Sequence, residues 1–238
     1  AEGAEGETKE VLCNYLGTDD FASYAKEYLN KIKEYNTEDE SYGYKSKLKI
    51  ADAVWVDNNL TLQEEFKNSV TNGFGAEVEN VDFSAAEKTC GIINSWCDKN
   101  TEGLIPKIIT PDLINDTTGL CLTNSLYFES GWSGEPWNVS DTEEKFGNNE
   151  KTKYMTCAGD RYYENDKATA FGREYANGLS FVGILPVDEG DFTLEDLDIG
   201  GLLKSQPEYD EVQCKMPKLD FETTAILNDI LSSLGLDN

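Results

Sequence analysis

Histidine is absent from all 238 residues. A Ser-His-Asp or Cys-His nucleophile system therefore cannot be assembled from this chain, and His-ligated zinc and non-haem iron sites are excluded with it. Positive charge is scarce: 20 Lys and Arg stand against 46 Asp and Glu, a formal net charge of −26. Phosphate binding needs clustered cations, so this field argues against nucleic acid as a partner. No apolar run approaches a membrane span, and no membrane partner is expected. No signal peptide is recognisable, which carries little weight because the chain starts at Ala1-Glu2-Gly3-Ala4 without methionine. That start reads as a fragment boundary. The six cysteines, at 13, 90, 97, 121, 157 and 214, include no CxxC pair, so a zinc ribbon or thioredoxin motif is unsupported. Cys90 and Cys97 lie two helical turns apart, too far to bridge within one helix. Buried free thiols and one or two long-range disulfides both fit this spacing. No metal site and no cofactor is expected.

What is present suffices for a core: 39% of residues are hydrophobic and 11% aromatic. Thr8 to Leu16 reads as a short helix ended by Gly17. Thr18-Asp19-Asp20 is placed to cap a second helix, whose Phe21, Tyr24, Ala25, Tyr28, Leu29, Ile32 and Tyr35 form one amphipathic stripe. Lys45 to Val56 alternates as a strand, followed by a turn at Asp57-Asn58-Asn59. Leu62, Phe66 and Val70 mark a helix stopping near Asn72-Gly73, and Ala76 to Glu79 alternates again. Ser84-Ala85-Ala86-Glu87 has the form of a capping box opening a helix with Ala86, Thr89, Ile93, Trp96 and Cys97 on one side. Leu120 to Phe128 alternates with both faces apolar or small, which predicts a strand covered on both sides. Beyond Tyr154 short strands dominate, at Tyr162-Tyr163, Ala168–Phe171, Leu179–Leu185 and Glu211–Lys215. Phe192 to Lys204 reads as helical turns interrupted by Gly200-Gly201, and a last helix carries Leu227, Ile230, Leu231 and Leu234. Helices between strands early and strands late make the fold class α+β.

Candidate chemistry is thin. Gly131-Trp132-Ser133-Gly134-Glu135 misses the G-x-S-x-G elbow at its last position, and no histidine is present to act as base. Asp196 to Gly201 has the look of a calcium loop, but EF-hand position twelve falls on Pro207. Lys26, Lys31 and Lys33 are interleaved with Glu27 and Glu34, so no strong heparin-type site is expected. Three glycosylation sequons start at Asn59, Asn115 and Asn138. No residue is assigned a catalytic role, and no enzyme activity is expected.

The order of motifs resembles the serpin family. Gly3-Ala4-Glu5-Gly6-Glu7-Thr8 resembles the opening of its helix C, and the stripe at 21–35 its helix D. Ala51 to Val56 resembles the second strand of its large sheet A, and Ala76 to Phe83 the first. Ile93-Asn94-Ser95-Trp96 with Thr101-Glu102-Gly103-Leu104-Ile105 is similar to the helix F pattern, with Cys97 where Val is common. Thr123 to Trp132 resembles the Asn-Ala-x-Tyr-Phe-x-x-x-Trp signature of strand three of sheet A. Tyr175 with Leu179 to Pro186, and Met216-Pro217-Lys218-Leu219 with Leu227, Leu231 and Leu234-Gly235-Leu236, resemble later family segments.

The resemblance implies an incomplete serpin fold, one partial domain over residues 1–238. Helices C–F and strands one to three of sheet A would lie in 1–150, and strands of the smaller sheets with short helices in 151–238. It implies a suicide-substrate inhibitor of a serine or cysteine endopeptidase. In that mechanism a target protease cleaves a reactive loop, which inserts into sheet A beside strand three and releases stored strain. The implied partner is that protease, and the implied location extracellular. The resemblance ends at Asp237-Asn238, before the family's hinge, reactive loop and last strands, so the chain reads as an internal fragment without the reactive bond. Carried over, Asn124 matches the shutter, Trp132 the breach, and Asn94 and Trp96 helix F. The plainer readings are a buried hydrogen-bonded amide at Asn124 and a core aromatic at Trp132. Two alternatives stand beside the inhibitor: a non-inhibitory serpin acting as carrier, chaperone or storage protein, and an unrelated binding domain with chance matches. The last is excluded if the Asn94–Trp96 helix packs across a sheet containing residues 119–128.

Overall fold

The computed structural model describes residues 2–39, 44–146, 150–187, 196–205 and 212–225. The chain divides into two compact units, the first built from residues 2–37 and 47–129, the second mainly from residues 130–187, 196–205 and 212–223.

In chain order the first stretch contains α1 (Gly6–Leu16), α2 (Phe21–Ile32), β1 (Thr37–Asp39), β2 (Tyr44–Asp57), α3 (Glu64–Gly73), β3 (Glu77–Val81), α4 (Ala86–Asn100) and β4 (Leu120–Glu129). Gly17 ends α1 with φ +71°, a left-handed conformation that glycine adopts without penalty. Asp20 caps α2 by accepting from Ser23 N, and the helix tightens into a 3₁₀ turn at Lys33–Tyr35. The amphipathic stripe of α2 is only partly used. Phe21 and Ile32 are buried, whereas Tyr24 is 67% exposed and Tyr28 52%. The helix meets α3 along a narrow line, where a Cβ on Gly73 would lie 2.7 Å from Ala22 Cβ. The described residues of this unit put no further layer over the tyrosines.

The sheet is centred on β2. β3 pairs parallel with Ala53–Asp57, β4 pairs antiparallel with Lys47–Val56, and the short β1 belongs to the same sheet. The segments expected to be the first three strands of one sheet are therefore neighbours in one sheet. Alternation puts Ala53 and Trp55 on one face, where they join Phe83, Ile93, Trp96 and Cys97 in a core under α4. Val54 and Val56 point the other way, to Val70 and Ala76.

Two local expectations are corrected here. Ser84 does not cap α4: its hydroxyl donates to Asp82 Oδ1 at 2.5 Å, and the Thr89 hydroxyl donates to the Asp82 carbonyl at 2.6 Å. Asp82, two residues earlier, offers the nearer acceptor, so Ser84 closes an Asx turn instead of a capping box. β4 is not covered on both sides either. Ser125 and Tyr127 are buried, but Leu122 is 65% and Leu126 58% exposed. Both faces are apolar or small, but no described element of this unit lies over the leucines.

The second stretch contains β5 (Asn138–Phe146), β6 (Glu150–Ala158), β7 (Arg161–Glu164), β8 (Ala168–Glu174), β9 (Ser180–Pro186), α5 (Ile199–Leu202) and β10 (Gln213–Pro217). They form two antiparallel sheets, ordered β10-β6-β5 and β7-β8-β9. Tyr163, Ala168, Ala170, Leu197 and Leu202 make a small core. α5 runs through Gly200-Gly201 instead of breaking there. Asp198, at φ +43°, caps it by accepting from Gly201 N, and a Cβ on Gly201 would collide with that carboxylate. The expected helix at Leu227–Leu234 lies outside the described residues, as do Phe192 and Glu211.

Candidate functional site

Asn124 sits in the middle of β4, opposite Asp52 of β2. Its amide donates to Asp52 Oδ1 at 2.9 Å, and both groups are on the surface. It is thus an exposed cross-strand clasp and not the buried amide of the plainer reading. It lies on the same face as Leu122 and Leu126, because these residues are two apart on a strand. β4 pairs with β2 along one edge; among the described residues no strand pairs with its other edge. Among its described residues the first unit therefore presents a strand, Leu120–Glu129, with one edge that no other described strand pairs and an outer face carrying Leu122 and Leu126.

The opposite face of β4 is anchored to α4. Trp55 of β2 meets Trp96 of α4 edge to face, ring centres 6.1 Å apart. The Trp55 indole donates to Thr123 Oγ1 of β4 at 3.0 Å. The Trp96 indole N–H is buried and has no acceptor among the described residues. Asn94 works differently: its Oδ1 accepts from Ile108 N at 2.9 Å and Ile109 N at 3.1 Å, and its amide donates to the Ile109 carbonyl at 2.9 Å. One side chain thereby fastens the segment that follows α4 back onto the helix. So Trp96 holds the helix to the sheet, and Asn94 holds the returning chain to the helix. Burial pushes the Cys90, Cys97 and Cys121 thiols of this region up, keeping them protonated. Hydrogen bonding to Glu129 holds the Tyr127 phenol up as well.

Trp132 belongs to the second unit. It forms an isolated bridge with Tyr175 and stacks on that ring at 4.4 Å and 18°, with Trp137 and Phe181 at its edges, 5.6 and 5.9 Å away. Trp137 and Phe181 each also meet Phe171. Trp132 is therefore the hub of a five-ring aromatic cluster.

Beside this cluster lies a residue that sequence reasoning missed. Arg173 is 3% exposed. Its guanidinium lies 5.5 Å over the Trp137 ring and donates to the carbonyls of Ala158, Ser133 and Glu135. Among the described residues it makes no salt bridge. The one available signal was rarity, since the chain has two arginines and this one sits inside the apolar run Ala168–Glu174.

None of these groups forms a nucleophile with a base. Ser133 is exposed, and its amide donates to the Glu174 carbonyl. Asp57 has its carboxyl held below the usual range by hydrogen bonds, chiefly from Asn59 N, and it orders the turn after β2. Among the described residues no His, Cys, Asp and Glu cluster is placed to hold a metal ion. What the geometry of the described residues provides is mechanical: a strand with one edge unmatched by another described strand, a helix fastened across it, and, in the second unit, an aromatic hub.

Comparison with known proteins matches this description. Serpin-ZXA of Oryza sativa subsp. japonica is 29% identical over 99% of the chain and 64% of its own length. An uncharacterized serpin-like protein of Methanosarcina acetivorans is 29% identical, over 99% of the chain and 57% of its own length. Antitrypsin of Bombyx mori is 26% identical, over 100% of the chain and 62% of its own length. The chain thus spans about three fifths of the relatives it matches. Among solved structures, cleaved Serpin 42Da superposes with a TM-score of 0.78 at 24% identity, covering 99% of the chain and 65% of that protein. Emu (Dromaius novaehollandiae) ovalbumin gives 0.81 at 19% identity, covering 98% and 67%. At those identities the likeness concerns the fold. α4 packs across a sheet that includes β4, which excludes a chance match of motifs. The family model described as "Serpin (serine protease inhibitor)" matches residues 1–238, so the chain belongs to the serpin family.

Proposed function

We propose that the protein containing these residues is an inhibitor of a serine or cysteine endopeptidase, acting as a suicide substrate outside the cell. The outer edge of β4 is the place where the cleaved bait is added as a strand. The observation that carries this reading is that no strand among the described residues pairs with the outer edge of β4, whose outer face shows Leu122 and Leu126 to solvent. Each residue of an added strand would gain backbone hydrogen bonds there, and its apolar side chains would share cover with those leucines. Asn124 is tied to Asp52, within β2. The name antitrypsin, borne by the Bombyx mori relative, supports the same class. No residue of the chain is given a catalytic role; the chemistry belongs to the target protease.

The test is incubation with a panel of serine and cysteine proteases, followed by denaturing electrophoresis. The longer protein carrying a reactive loop should give a covalent, detergent-stable complex with one of them, and the 238-residue chain alone should give none. Clean cleavage without a complex across the panel would overturn the inhibitory reading in favour of a carrier, chaperone or storage role. A complex with the 238-residue chain would show that the bait lies within it.

A further inference from the structure

Cys157 of β6 and Cys214 of β10 face each other directly in the antiparallel register. The surrounding ladder fixes what kind of pair they form. Gly159 N donates to the Val212 carbonyl and Lys218 N to the Lys153 carbonyl, so positions 159/212 and 153/218 are hydrogen-bonded pairs. These alternate along an antiparallel ladder, so 157/214 is one too, with a Cα separation of about 5.5 Å. That lies inside the roughly 4.4–6.8 Å span that a disulfide bridges. The two side chains project from facing positions of the same ladder.

The neighbourhood treats the sulfurs unequally. Cys214 is buried, and Cys157 is partly exposed. A Cβ on Gly159 would lie 2.6 Å from Cys214 Sγ, so the missing side chain makes room for that sulfur. Burial raises the Cys157 thiol overall, while the positive charge of the Arg173 guanidinium, which makes no salt bridge among the described residues, works the other way and favours the thiolate.

We propose that Cys157 and Cys214 are an oxidative modification site: a reversible intramolecular disulfide, with Cys157 as attacking and Cys214 as resolving thiol. The oxidant is a low-molecular-weight disulfide. The Cys157 thiolate attacks one sulfur of it, the oxidant's S–S bond breaks, and one thiolate leaves. The Cys214 thiolate then attacks Cys157 Sγ in the mixed disulfide and expels the second. Two protein thiols are oxidised, one disulfide is reduced to two thiols, and the two thiol protons pass to the departing thiolates. The facing Cβ atoms of a hydrogen-bonded pair lie wider than those of a relaxed disulfide, so the product should be readily reduced.

The experiment treats the fully reduced 238-residue chain with oxidised glutathione at mildly alkaline pH, blocks remaining thiols, digests, and maps peptides by mass. The expected product joins the Cys157 and Cys214 peptides, two hydrogens lighter than their sum, and dithiothreitol releases it. Cys214→Ser should accumulate a glutathione adduct on Cys157, whereas Cys157→Ser should leave Cys214 unmodified while the chain is folded. Wild-type protein that yields no 157–214 product, or that stops at an adduct, overturns the proposal without reference to either variant. Adduct formation on Cys214 in preference to Cys157 overturns the assignment of roles.

Discussion

Trp55 and Trp96 share one core and one edge-to-face contact, yet their indole N–H groups have different fates. That of Trp55 donates to Thr123, and that of Trp96 is buried without an acceptor among the described residues. Replacing either by Phe removes a similar amount of ring, so the difference between the two variants isolates the hydrogen bond. Trp55→Phe should cost about 1 kcal/mol more than Trp96→Phe, read from urea unfolding midpoints and slopes. Equal costs would mean that the Trp96 N–H is satisfied after all. Residue by residue, the site was unevenly legible in the sequence. Asn94 and Trp96 stood out through motif spacing, but the spacing could not say that Asn94 fastens Ile108 and Ile109. Arg173 stayed hidden because its acceptors come from Ser133, Glu135 and Ala158, which no local pattern joins. Ser84 misled for the opposite reason: a strong local pattern lost to a nearer acceptor on Asp82.

At the scale of elements, β4 carries the sharpest consequence. An edge that no described strand pairs, beside an outer face with exposed leucines, is a template for pairing with another chain. Leu122→Lys should therefore raise the temperature at which the chain aggregates, measured by light scattering. Its unfolding free energy should move by no more than about 0.5 kcal/mol, because Leu122 is mostly exposed. A large loss of stability would show that Leu122 is packed. Alternation made β4 legible as a strand, and periodicity made α2 legible as a helix. In both, the pattern reported which residues are apolar and not what lies over them, so burial was overestimated for Leu122, Leu126, Tyr24 and Tyr28. β5 escaped notice because Asn138–Phe146 is polar and exposed along nearly its whole length, which leaves no period to count.

For the molecule as a whole, charge of one sign prevails. A net −26 with a pI near 4.2 places repulsion among carboxylates in the compact state, and only part is relieved by exposed pairs such as Lys215–Glu144 and Arg161–Glu174. Adding monovalent salt from a few millimolar to about 0.15 M, where the Debye length falls to about 8 Å, should raise the thermal midpoint. A midpoint that falls would mean that attractive pairs outweigh repulsion. Family membership was the most legible property at this scale, because it rests on motifs spread in order from Gly3 to Leu236. The pairing of Cys157 with Cys214 was the least, because it needs a register across 57 residues of chain that composition does not encode. That register makes the two sulfurs a ruler for refolding. A slip of one residue would set Cys157 against Gln213 or Lys215, and a slip of two against Val212 or Met216. Since neither slip brings the thiols into line, the yield of the 157–214 crosslink during refolding would count the molecules whose β6 and β10 have found their native alignment.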